Sequence, residues 1–110
     1  MAWSINYYSE RVQQTIDHWP ISIRAVYARI AERMLVFGPN LGMPFTRSMG
    51  GGLFEIRAKG REGIGRAFFC TVVGDEIVVL HAFIKKSDKT PRKELEIARR
   101  RLREIRDEDT

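Results

Sequence analysis

The sequence predicts an α+β domain: an N-terminal helical hairpin packed on an antiparallel sheet of about four strands, with a C-terminal helix. Three observations carry this. Residues 53–59, 65–73 and 76–86 are rich in β-branched and aromatic residues and bounded by Gly or Asp, the pattern of successive strands. Ile23, Val26, Tyr27, Ile30, Met34 and Phe37 recur at helical spacing and form an apolar stripe broad enough to cover a sheet. Leu95, Ala98, Leu102 and Ile105 form a second stripe behind Thr90-Pro91, a favourable N-cap followed by a favourable first helical residue. With 110 residues the chain is a single domain, 1–110, able to bury roughly two-thirds of its unfolded surface.

In chain order, Trp3-Ser4-Ile5-Asn6-Tyr7 alternates apolar and polar as an edge strand does. Ser9 caps a short helix from Glu10 to about Trp19, ended by Pro20. Ser22 caps a second helix, which Gly38-Pro39 stops. The short link makes the two an antiparallel αα-hairpin. Residues 38–52 read as a loop, with Gly50 to Gly52 a flexible lead-in to the first central strand. Three glycines without a following GK[ST] are a weak phosphate-loop signal, and Arg47 reads as a solvated loop charge. The links Gly60-Arg61-Glu62-Gly63 and Val73-Gly74-Asp75-Glu76 are too short for a parallel crossover, so the central strands form an antiparallel meander. The last helix runs from Pro91 to about Arg106.

Alternation sorts each strand onto two faces. Phe54, Ile56, Ala67, Phe69, Val78, Leu80, Ala82 and Ile84 give an almost wholly apolar face for the hairpin. The other face gathers Arg57, Arg66, His81 and Lys85 beside Phe68 and Phe83, with Glu55 able to pair with Arg66 or Arg57. Cations on an aromatic floor suit a polyanion with stackable bases; the plainer reading is a solubilising sheet face. The net charge of +5 is concentrated: residues 85–106 hold ten Lys or Arg against four acids, which favours an acidic partner.

Cys70 is alone, which excludes an internal disulfide, and with only His18 and His81 beside it a structural zinc site is not expected. No apolar run approaches the roughly 20 residues of a membrane span, and no signal peptide opens the chain. A cytoplasmic protein without metal or other cofactor is expected. No nucleophile–His–acid set or carboxylate pair stands out. What remains is a binding surface, or an enzyme acting through cations. RNA cleavage suits the second: the 2′-OH is the nucleophile, Arg holds the phosphate, and a Lys with a lowered pKa can move protons.

The residues also carry a resemblance. Leu53-Phe54-Glu55-Ile56-Arg57, Gly63-Ile64-Gly65-Arg66-Ala67-Phe68-Phe69, Leu80-His81-Ala82-Phe83-Ile84-Lys85-Lys86 and Lys89-Thr90-Pro91 follow in an order that resembles the phage-derived, HigB-like toxins of the RelE/ParE superfamily. The resemblance extends over nearly the whole chain. It implies a RelE-like fold and metal-independent endoribonuclease cleavage of mRNA on the ribosome. It also implies neutralisation by a small, often helix-turn-helix antitoxin. By position, Arg57, Arg66 and Lys85 become the catalytic cations, and Lys59, Arg61, Lys86 and Lys89 hold RNA around them. The chain lacks the C-terminal Tyr of some relatives, which leaves the general base and the role of His81 open. A gyrase-inhibiting toxin of the ParE branch and a non-toxic RNA-binding module are the alternatives.

Overall fold

The computed structural model of the protein describes residues 3–85 and 91–109; Lys86, Lys89 and the expected cap Thr90 lie outside them. The elements run β1 (Ser4–Tyr7), α1 (Glu10–Asp17), α2 (Ile21–Phe37), β2 (Thr46–Gly50), β3 (Leu53–Gly60), β4 (Gly63–Val72), β5 (Glu76–Lys85) and α3 (Arg92–Asp109). They build one five-stranded sheet in the order β1-β5-β4-β3-β2. The central meander is antiparallel as expected. The first strand adds parallel to β5, pairing Ser4 with Glu76 and Tyr7 with Val79. The chain spent on α1, α2 and the meander supplies the connection a parallel pair requires.

β2 was not expected, and it corrects the reading of residues 38–52 as loop. TRSMG has no apolar alternation; its strand character comes from backbone pairing with β3, Thr46 facing Ile56 and Arg47 facing Glu55. The Thr46 hydroxyl accepts from the backbone N–H of Leu41 and of Gly42, both at 3.0 Å, and so ties the preceding loop to the strand. Gly50, Gly51 and Gly52 all have positive φ (89°, 65° and 87°), so they are the tight turn of the β2–β3 hairpin and not a flexible lead-in.

Ser9 accepts from Val12 N at 3.3 Å and caps α1 as expected. Ser22 does not cap α2. Pro20 takes that position, and the Ser22 hydroxyl donates to Glu62 Oε1 at 2.8 Å, pinning the helix start to the β3–β4 turn. The α2 stripe is buried through Ile23, Tyr27, Ile30 and Met34, but Phe37 is 73% exposed, past the last buried turn. The hairpin covers Ile56, Ala58, Ala67, Phe69, Ile77, Val79 and Ala82 in one core cluster.

The strand alternation holds in β3 and β4 and fails halfway along β5. Phe68 pairs with His81 and Phe69 with Val79, so Leu80 is an extra residue, a β-bulge. The bulge shifts the phase by one. Ile77 and Val79 therefore join Ala82 on the hairpin face, whereas Val78 and Leu80 join Phe83 opposite. That opposite face is not open. Ala98 and Leu102 of α3 cover Leu53, Phe68, Cys70, Val78 and Leu80 in a second cluster, with Leu95 and Ile105 packed against it. No helix among the described residues is long and apolar enough to cross a membrane.

Candidate functional site

Cross-strand register fixes which side chains meet. On the α3 face one row runs Arg47, Glu55, Phe68 and His81 across β2, β3, β4 and β5. The next runs Arg57, Arg66 and Phe83, and a third runs Lys59, Ile64 and Lys85. Arg57, Arg66 and Lys85 thus share one face, with Lys59 beside them, and Arg57 stands directly opposite Arg66. Arg61 lies exposed on the β3–β4 turn, outside these rows.

The cations differ in surroundings. Arg57 and Lys85 are half-buried and Lys59 is exposed. Arg66 and Glu55 are both 0% exposed and form an ion pair with each other. The other oxygen of the Glu55 carboxylate accepts from Arg47 Nε at 2.9 Å. The Arg66 guanidinium carbon lies 5.8 Å from the ring centres of both Phe68 and Phe83, which are themselves 5.7 Å apart. Burial in this apolar bed, and then the nearby Arg47 charge, hold Arg66 down to about 10. Of the two partners open to Glu55, the structure selects Arg66, and it adds Arg47. The signal for Arg47 lay in the glycine turn: a hairpin closed at Gly50 to Gly52 brings Arg47 back across from Glu55.

His81 Nε2 lies 3.0 Å from Glu94 Oε1 in the first turn of α3, and its ring is stacked on Phe83 with centres 5.9 Å apart. The arginines of α3 are not one solvated set. Arg99 donates to the carbonyls of Met49 (2.9 Å) and Gly50 (3.2 Å), and Arg106 to that of Gly51 (2.8 Å). Arg101 donates to the carbonyl of the bulged Leu80 at 2.8 Å and lies 4.5 Å over the Tyr8 ring. Arg100 and Arg103 remain exposed.

Among the described residues no three His, Cys, Asp or Glu side chains are grouped as metal ligands. Chemically, the face offers accessible cations around a buried Arg66–Glu55 pair that the exposed Arg47 joins, beside a histidine fixed by a carboxylate. It can hold phosphate groups and has a proton-transfer group nearby.

The sequence matches no curated protein. Among solved structures it is similar to E. coli toxin RelE, in a double mutant in the free state: TM-score 0.59 at 14% identity, over 93% of this chain and 99% of that one. It is also similar to a chain of the archaeal RelE–RelB complex from Pyrococcus horikoshii OT3, with TM-score 0.57 and 14% identity, over 78% of this chain and 98% of that one. The fold is therefore the RelE fold, as the resemblance implied. A family model described as "Phage derived protein Gp49-like" matches residues 14–103, and the chain belongs to that phage-derived, Gp49-like family.

Proposed function

We propose that the protein is the toxin of a type II toxin–antitoxin pair and that it cleaves messenger RNA on the ribosome, in the cytoplasm, without a metal. The observation that carries this reading is the convergence of Arg57, Lys59 and Lys85 on one sheet face around the buried Arg66. Like charges so placed repel, and a bound polyanion offsets that cost. Arg57 and Lys85 are the cations that contact the RNA backbone, with Lys59 and Arg61 extending the basic surface around them; Lys86 and Lys89, outside the described residues, are proposed as RNA contacts by their charge and place in the sequence alone. Arg66 is held by Glu55 and shapes the field of the site from below. The family and the RelE fold support the toxin reading. The RelE of the archaeal structure is in complex with RelB, which supports a cognate antitoxin as partner here.

Induced expression in a bacterium tests it, with growth, protein synthesis and mRNA 5′ ends followed together. Wild type should arrest growth, stop translation and generate new mRNA ends, and Arg57→Ala with Lys85→Ala should relieve all three while the variant stays folded. Harmless expression would overturn the toxin reading. Arrest with intact mRNA and blocked DNA replication would replace the nuclease by a gyrase inhibitor.

A further inference from the structure

β1 ends before β5 does. Tyr8 N donates to Val79 O at 2.8 Å as the last contact of that edge, and the chain then turns into α1 at Ser9. Beyond this point His81 borders a cleft of about 120 Å³, lined also by Ser9, Arg11 and Thr15 at the start of α1 and by Arg101 of α3. Two arginines, two hydroxyl side chains and an imidazole therefore surround one small opening.

The chemistry of His81 follows from its partner. An ionised carboxylate only accepts, so the 3.0 Å contact with Glu94 places the proton of the neutral ring on Nε2. Nδ1 is then the basic nitrogen, and among the described residues no hydrogen bond engages it. Stacking on Phe83 fixes the ring plane. Arg101 is equally constrained, between the Leu80 carbonyl and the Tyr8 ring. A tether for α3 would be the plainer role for the His81–Glu94 pair. That helix, however, is already held by Ala98 and Leu102 in the core and by Arg99, Arg101 and Arg106 on backbone carbonyls.

We propose that His81 is the proton acceptor of RNA cleavage, with Glu94 as its positioning residue, and that Arg11 and Arg101 hold the reacting phosphate in this cleft. The inference rests on the endoribonuclease reading above. His81 Nδ1 takes the proton of the 2′-OH as O2′ attacks phosphorus. The O2′–P bond forms, the P–O5′ bond breaks, and its electron pair leaves with O5′, which takes a proton from water. The products are a 2′,3′-cyclic phosphate and a 5′-hydroxyl, and the imidazolium returns its proton to solvent. Lys85 lies four residues from His81 along β5, about 13 Å away. It holds the strand beyond the reacting phosphodiester.

The test is cleavage of a translated mRNA in a reconstituted translation system by purified wild type, His81→Ala, His81→Asn and Glu94→Gln. Melting temperature and binding of a 2′-deoxy-substituted RNA are measured on the same samples. Both His81 variants should lose at least about 100-fold in cleavage rate, with binding retained, and added imidazole should restore part of the His81→Ala rate. A tether would not respond to imidazole. Glu94→Gln should slow cleavage less than loss of the ring does, and Arg11→Ala, a change at an exposed position of the cleft wall, should weaken cleavage with the melting temperature unchanged. Wild-type rate in either folded His81 variant, or in Arg11→Ala, overturns the proposal; Arg11→Ala decides even where the His81 variants fail to fold. Wild type that cuts no RNA removes the endoribonuclease reading itself, whereas cleavage that survives the loss of His81 removes only the proton acceptor.

Discussion

At the scale of single residues, Glu55 and Arg66 decide the most. Each is a charge taken wholly out of water, and each is compensated by the other. Glu55→Ala removes the carboxylate from the buried Arg66 and should cost about 3–5 kcal/mol, read as a fall in melting temperature or denaturant midpoint. Replacing the pair together, Glu55→Leu with Arg66→Met, should recover much of that stability and still abolish RNA cleavage. A double replacement as unstable as Glu55→Ala alone would show that the pair is a net contributor to the fold. Tyr27 offers a second residue-level test. Its hydroxyl lies 2.9 Å from that of Tyr7, and burial, followed by the Tyr7 hydroxyl, raises it well above the ordinary 10.0. A folded-state value above the unfolded one gives stability that is complete below pH 10 and is lost as pH rises past it. Arg66, held down to about 10, works in the opposite direction over the same range, so the comparison must be made against Tyr27→Phe. Urea melts from neutral pH upward should show wild type losing stability above pH 10 faster than that variant.

At the scale of elements, the sheet meets its helices at positions where no side chain fits. A Cβ on Gly65 would lie 2.6 Å from the Trp19 ring and 2.7 Å from Ile23, where the link between α1 and α2 presses on β4. A Cβ on Gly60 would meet the Ser22 backbone at 2.7 Å. Gly65→Ala should therefore cost about 1–3 kcal/mol. It sits in β4 next to Arg66 but on the opposite face, so RNA binding by the folded protein should be unchanged. A loss of binding at full stability would mean that the two faces are coupled through the strand. The bulge at Leu80 is the other decision made at this scale. It turns Val78 and Leu80 toward α3, and Arg101 satisfies the Leu80 carbonyl.

At the scale of the whole molecule, Arg57, Lys59 and Lys85 lie on two adjoining sheet rows, whereas the arginines of α3 are interspersed with Glu104, Asp107 and Glu108, and Tyr8 is hydrogen-bonded to Glu104. Binding to a single-stranded RNA should weaken as salt rises, with a logarithmic slope of about −0.7 for each phosphate neutralised. Removing Arg57 and Lys85 should flatten that slope, while Arg99→Ala, whose guanidinium is spent on Met49 and Gly50 carbonyls, should leave it nearly unchanged. An equal flattening by Arg99→Ala would place RNA on α3 instead of the sheet.

The sequence by itself determined the fold class, the antiparallel meander, the two N-terminal helices and the α3 stripe. Apolar periodicity, caps and glycine turns are local properties that a linear chain displays. It also determined which cations share a face, because in β3, β4 and the last half of β5 alternation depends only on counting by twos. Tertiary structure decided the rest. TRSMG becomes a strand only because β3 lies beside it, and the bulge at Leu80 appears only when β5 is paired with β4. Arg47 finds Glu55 across a hairpin, and Glu94 finds His81 only once α3 has packed over the sheet. Each of these is a contact between segments distant in sequence or a phase set by a partner strand, and, apart from the Gly50 to Gly52 turn that returns Arg47 to Glu55, none leaves a mark on the residues taken one stretch at a time.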